Sequence, residues 1–168
     1  MENRMTTIEL AKEDQKFSIA HFTIFSKSNR ERLHGHNFTV SAQISAPVSD
    51  EGMCFNYQVY KKKLKDLCQS LNQYTILPQN SPHLKIEEEG NQLIVKFNHE
   101  KIPFLQADTL ILPITNTTVE EFSHFFIKQL TSDKKSLKEH MIKSLVVKVS
   151  SGPGQSGTSQ WSSESVGE

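Results

Sequence analysis

Cysteine is scarce in this chain, and the two present, Cys54 and Cys68, stand in no metal-ligand spacing. They point to no thiolate metal site and imply no disulfide framework. Long apolar runs are missing as well. No stretch approaches the roughly 18 apolar residues of a membrane span, and the polar opening MENRMTTIELAKEDQK has no signal-peptide core. The expected setting is therefore the reducing cytoplasm, with no membrane partner. Net charge is absent too, since 19 Lys and Arg balance 19 Asp and Glu. A partner held by bulk electrostatics, such as nucleic acid or an anionic surface, is thereby disfavoured. What remains is a globular composition, 36% hydrophobic and 23% charged over 168 residues, which suits a single domain with a real core.

No internal repeat is visible. Residues 1–12 are weakly patterned and the ending SGTSQWSSESVGE is rich in Ser and Gly, so both tails are expected to be loosely ordered around a core of about 16–160. Trp161 is a candidate to pin part of the second tail. Residues 16–25 alternate, placing Phe17, Ile19 and His21 on one face, as a half-buried strand does. Residues 36–46 repeat the pattern, with Phe38, Val40, Ala42 and Ile44 sharing a face with His36. The polar loop between them predicts an antiparallel pair.

Helical spacing follows at 58–71, where Tyr60, Leu64, Leu67, Cys68 and Leu71 form a stripe. Residues 83–97 read as a hairpin turning at Gly90–Asn91. A second helix is expected to start near Thr118, with Thr118 and Glu121 as a capping box and Phe122, Phe125, Phe126 and Leu130 as its stripe. The β-branched segment SLVVKVS then forms a last strand before the turn GPGQSG. Two helices against an antiparallel sheet make an α+β fold.

The chemistry lies in His34-Gly35-His36. On an extended segment, residues two apart project to the same side, so both imidazoles can reach one ion. His21, on the neighbouring predicted strand, can supply a third nitrogen. Three protein ligands with a fourth position open is the arrangement of a catalytic zinc. Spacing alone leaves open the simpler reading of two unrelated histidines, as for the scattered His83, His99, His124 and His140.

The sequence L-H-G-H-N-F, with F-S-x-A-H upstream, resembles the 6-pyruvoyltetrahydropterin synthase and 6-carboxytetrahydropterin synthase family. The likeness continues through Asp50-Glu51-Gly52-Met53, Asn116-Thr117-Thr118-Val119-Glu120 and the VVKVS strand with its Gly-Pro-Gly turn. The resemblance implies a tunnelling fold, an antiparallel sheet backed by two helices, whose barrel closes when subunits assemble into a trimer or hexamer. It implies Zn2+ on His21, His34 and His36, and a lyase acting on 7,8-dihydroneopterin triphosphate or a related small pterin. Thr118 and Glu120 match positions that contact substrate.

Three departures qualify that likeness. The family's cysteine base, four residues before H-G-H, is here Arg30, and Glu31 follows it. This resembles a variant subgroup in which glutamate is the base and the product is 6-hydroxymethyl-7,8-dihydropterin, a folate precursor. The other reading of Glu31 is an ion pair with Arg30 or Arg32 on a solvated loop. The family's Asp-His relay is replaced by Asn72-Gln73, and its pterin-gripping glutamate by Ser150-Ser151. Neither Asn nor Gln titrates near neutral pH. These losses keep two alternatives in view: a changed substrate on the same fold, or a non-catalytic zinc- and ligand-binding relative.

Overall fold

The computed structural model describes residues 4–166; the outermost parts of the two expected tails, 1–3 and 167–168, lie outside the described residues. Alternating apolar positions build the centre of a seven-stranded sheet. In β2 (Lys16–His21) the buried residues are Phe17, Ile19 and His21; in β3 (His34–Pro47) Phe38, Val40, Ala42 and Ile44 are buried. The two strands run antiparallel, with Phe17 opposite Phe38 and His21 opposite His34.

β1 (Met5–Leu10) pairs with the far half of β3. Along the other edge of β3 lies β9 (Ser144–Gly152), followed by β10 (Gln155–Ser162). Next to β2 run β4 (Thr75–Pro78) and then β8 (Thr109–Leu112). The order is β10-β9-β3-β2-β4-β8, with β1 beside β3.

Helix α1 (Gln58–Leu71) buries Tyr60, Leu64, Cys68 and Leu71 on the sheet, and α2 (Val119–Leu130) buries Phe122, Phe126 and Leu130. Phe17 stacks on Phe38 at 5.1 Å, and Phe122 meets both rings edge-on. This aromatic cluster, the geometry such rings prefer, locks α2 over the strand ends that carry the histidines. A short α3 (Lys134–Glu139) follows. A second sheet, β5 (Leu84–Glu89), β6 (Gln92–Phe97) and β7 (Glu100–Leu105), is a separate antiparallel meander. It has its own core, in which Leu93, Val95 and Phe97 meet Phe22, Ile24 and Leu77.

The structure is α+β as expected, and differs in detail at several points. The tails are not loose over their described lengths, because β1 and β10 are strands. Their Thr-, Ser- and Gly-rich sequences give little pattern, but β3 and β9 offer backbone groups that must be paired, and the tails pair them. Trp161 is half-buried against the main core. The first strand stops at His21 rather than residue 25, since Phe22 and Ile24 turn away to the second core. The sheet is mixed, not purely antiparallel, because α1 carries the chain back so that β4 runs parallel to β2. The expected hairpin at 83–97 gains β7 as a third strand. Only half of the capping box forms: Thr118 Oγ1 accepts from the Glu121 N–H, but the Glu121 carboxylate accepts from the Thr115 N–H at 2.6 Å.

Candidate metal centre and active site

His21 ends β2, while His34 and His36 open β3 directly opposite, so register alone converges three rings. The ring centroids of His21 and His34 are 4.7 Å apart, and His36 lies 5.5 Å from His21. One ligand atom from each of the three lies within 4.8 Å of the others. His21 is buried, while His34 and His36 are partly accessible.

Hydrogen bonds determine which nitrogens face inward. A carbonyl oxygen only accepts, so a ring nitrogen bonded to it carries the proton. His21 Nδ1 donates to the Thr117 carbonyl at 3.0 Å, with Thr117 Oγ1 also 3.1 Å away. His34 Nδ1 donates to the Arg32 carbonyl at 2.8 Å, and His36 Nε2 donates to the Ser151 carbonyl at 2.8 Å. The remaining nitrogens, Nε2 of His21, Nε2 of His34 and Nδ1 of His36, present lone pairs. Two of them, His21 Nε2 and His36 Nδ1, face each other at 3.4 Å.

Two acceptors at that distance repel unless a cation lies between them. Tetrahedral zinc, with nitrogens at about 2.0–2.1 Å, would set its ligand atoms roughly 3.3–3.4 Å apart. Outward carbonyls that orient metal-binding imidazoles are the usual supporting arrangement. The His21–His36 pair has that ligand spacing, and the three nitrogens together could hold a metal ion. Burial, then the neighbouring His34 ring, pulls the His21 pKa down to about 4, against a partial upward pull from the Thr117 carbonyl. His21 is thus held neutral, as a ligand must be.

Glu31 points toward this cluster. Its Oε2 accepts from the Thr23 N–H at 2.9 Å and lies 4.0 Å from His34 Nε2. Burial pushes its pKa up, but the Thr23 hydrogen bonds, with His34 and His21, outweigh that and leave it below the usual carboxylate range. The pairing with Arg30 or Arg32 weighed from the sequence is not what the side chain does. Arg30 pairs instead with Glu100, and its only bond to Glu31 is to the main-chain carbonyl.

A cavity of about 400 Å³ joins His21, Glu31 and His36 to Thr118, Glu120, Ser151 and Gln155. Thr118 caps α2, and Glu120 sits exposed in its first turn. Ser151 is in the cavity, its carbonyl on His36, whereas Ser150 is taken up in β9 pairing opposite Thr39. Asn72 and Gln73 are not among the cavity-lining residues. Asn72 Oδ1 accepts from the Ser18 N–H at 2.8 Å, and Gln73 is exposed with φ 69 at the turn into β4.

Sequence reasoning did not assign a role to Thr117, fully buried and bonded both to His21 and to the Phe22 carbonyl. Its place just before the Thr118 cap was the available signal. The carbonyls of Arg32 and Ser151 had none, because any residue supplies a carbonyl.

A family model described as 6-pyruvoyl tetrahydropterin synthase matches residues 9–160. The solved 6-pyruvoyl tetrahydropterin synthase of Plasmodium falciparum is 29% identical, with a TM-score of 0.89 over 95% of this chain and 99% of its own. A variant of the Plasmodium vivax 6-pyruvoyltetrahydropterin synthase, in which a glutamate described as a catalytic residue is replaced by alanine, is 26% identical at the same TM-score of 0.89, covering 95% and 99% of the two chains. A Methanocaldococcus jannaschii protein carrying the provisional name 6-carboxy-5,6,7,8-tetrahydropterin synthase is 27% identical over 141 residues, which is 83% of this chain and 86% of that protein.

Proposed function

The chain belongs to the 6-pyruvoyl tetrahydropterin synthase family and has its tunnelling fold, and on that premise we propose that it is a zinc-dependent lyase acting on 7,8-dihydroneopterin triphosphate or a related dihydropterin. In this reading His21, His34 and His36 hold Zn2+, Glu31 is the general base, and Thr118 and Glu120 contact the substrate. The product expected of a glutamate base is 6-hydroxymethyl-7,8-dihydropterin, a folate precursor. The observation that carries the reading is the Glu31 carboxylate, aimed into the histidine cavity with Oε2 4.0 Å from His34 Nε2. A catalytic glutamate in the P. vivax protein supports the same assignment.

Zinc at this site would polarise side-chain oxygens of the substrate and stabilise negative charge that develops beside them. The chain's own residues do the rest. Glu31, ionised and oriented by the Thr23 N–H, accepts a proton from the substrate side chain, as a base within reach of the reacting group does. Thr117, Arg32 and Ser151 hold the outer ring protons of His21, His34 and His36, which leaves the inner nitrogens free to face a metal. Glu120 offers a carboxylate to N–H groups of a pterin ring, and the backbone at Thr118, at the start of α2, offers donors.

We place the protein in the cytoplasm, as two free cysteines suit, and as a homo-oligomer. The terminal strands of the main sheet, β10 and β8, each have one hydrogen-bonded neighbour, so their outer edges are available to other subunits.

A specific observation favours a second reading. Ser151 stands in the cavity where the family grips the pterin with a carboxylate, and Asn72 and Gln73 are occupied elsewhere. A changed substrate, or ligand binding without turnover, would fit those residues.

The experiment is incubation of purified protein with 7,8-dihydroneopterin triphosphate, with products followed by chromatography and mass detection. Formation of 6-hydroxymethyl-7,8-dihydropterin, abolished by a chelator and reduced at least about a hundredfold in Glu31→Gln, is the expected result. No turnover with zinc bound would favour the second reading.

A further inference from the structure

The meander β5–β6–β7 lies outside the cavity, yet it packs against the loop that delivers Glu31. Residues 22–31 leave the main sheet after β2 and fold back on themselves. Ile24 bridges to Arg30, and the Glu31 N–H donates to the Thr23 carbonyl at 2.8 Å. From the α2 side, the Asn116 amide holds this loop at both backbone groups of Ile24, accepting at 3.1 Å and donating at 2.8 Å.

From the other side the meander holds it through Arg30. The guanidinium lies over the rings of Phe22 and Phe97, at 5.2 and 5.6 Å. Its Nη2 donates to Glu100 Oε2 at 2.7 Å, at the start of β7, and its Nη1 donates to the Glu31 carbonyl at 2.8 Å.

We propose that Arg30, anchored by Glu100, is a positioning residue for Glu31, and that β5–β7 is the buttress which sets the direction of the Glu31 carboxylate. The backbone N–H of Glu31 is tied to Thr23 and its carbonyl to Arg30, so both flanking peptide planes are held. The side chain then leaves that backbone in one direction, toward His34, where the Thr23 N–H receives it. The pair joins a guanidinium that is 19% accessible to a carboxylate that is 57% accessible, and an ion pair open to water on one side adds modestly to stability. Its geometry suits orientation instead. Only a planar fork can donate in two directions while its face rests on aromatic rings, and lysine cannot replace it. The kinetic consequence rests on the proposed role of Glu31 as base; the structural one does not.

The test compares Glu100→Ala, Arg30→Met and Arg30→Lys with Glu31→Gln in the full chain. Arg30→Met keeps the packed stem, and Glu100→Ala changes an exposed residue at the start of β7, so one protects the other against failure to fold. Amide hydrogen exchange at Thr23 reads the carboxylate directly, and Val40 in β3 is the control. All three variants should exchange at least about tenfold faster at Thr23 with Val40 unchanged. Metal content should stay at one per chain, and kcat should fall about tenfold or more with KM within about twofold, as misorientation of a base predicts.

Unchanged exchange at Thr23 in both Glu100→Ala and Arg30→Met would overturn the proposal. So would fast exchange with full kcat in a protein that Glu31→Gln inactivates. If Glu31→Gln leaves turnover intact, the base assignment fails by itself, and exchange at Thr23 still decides whether Arg30 sets the carboxylate.

Discussion

At the residue scale, the three imidazoles are sorted by what lies behind them. Thr117, Arg32 and Ser151 each take one ring proton, and the opposite nitrogens are left as acceptors facing a common point. His34→Ala removes one of the three histidine donors, and elemental analysis of protein purified without added zinc should find metal lost; one metal per chain in that variant would refute the three-histidine site.

His21 also makes stability depend on pH. It titrates near 6.5 when unfolded and near 4 when folded. Between those values the unfolded chain binds a proton that the folded chain refuses, so unfolding is increasingly favoured as pH falls. The contribution is full above about 6.5 and gone below about 4. Melting temperatures of chelator-treated protein should therefore fall across that window. In His21→Gln the fall should be smaller; an equal fall would exclude His21 as its source.

At the element scale, the site depends on close approach of β10 to the start of α2. A Cβ added at Gly157 would lie 2.6 Å from the Val119 carbonyl carbon and 2.8 Å from the Glu120 nitrogen. Both are backbone atoms, so neither can swing aside as a side-chain tip would. Gly157→Ala should cost on the order of 1–3 kcal/mol, the usual penalty of overpacking, read as a lower denaturation midpoint. The same push acts on the turn that carries Thr118 and Glu120, so substrate affinity should weaken as well. An alanine variant as stable as the parent would show that β10 shifts freely.

At the scale of the whole molecule, the main sheet is layered against α1 and α2 on one face and ends in β10 and β8. The exposed Met5 in β1, with Met53 and Tyr57 between β3 and α1, at accessibilities of 47%, 61% and 42%, add apolar surface beside β1. Closed symmetric assembly is the common way to cover both. Sedimentation equilibrium should return a mass of three or six chains; a monomer at micromolar concentration would reject the barrel closed by assembly.

Much of the centre was legible in the chain because local periodicity and burial agree there. Alternation placed Phe17, Ile19 and His21 on one face, H-x-H placed two rings on one side of a strand, and both long helices follow the expected stripes, buried except at Leu67 and Phe125, which are partly so. Those signals are short-range, so the sequence by itself determined the inner strand pair, the helices and the convergence of the histidines. What only tertiary structure decided depends on partners far along the chain. Strands β1 and β10 exist because β3 and β9 have backbone groups to pair, not because their Thr- and Ser-rich residues prefer to be extended. The direction of Glu31 was undecidable from its neighbours Arg30 and Arg32. Glu100, seventy residues away, draws the Arg30 side chain off and leaves the carboxylate to the Thr23 N–H and the cavity. Asn72 and Gln73 were read as a lost relay, and only the fold shows Asn72 in use as a hydrogen-bond acceptor for β2. Long-range hydrogen bonds leave no periodic trace in sequence, and they are what turns a metal-binding pattern into an oriented site.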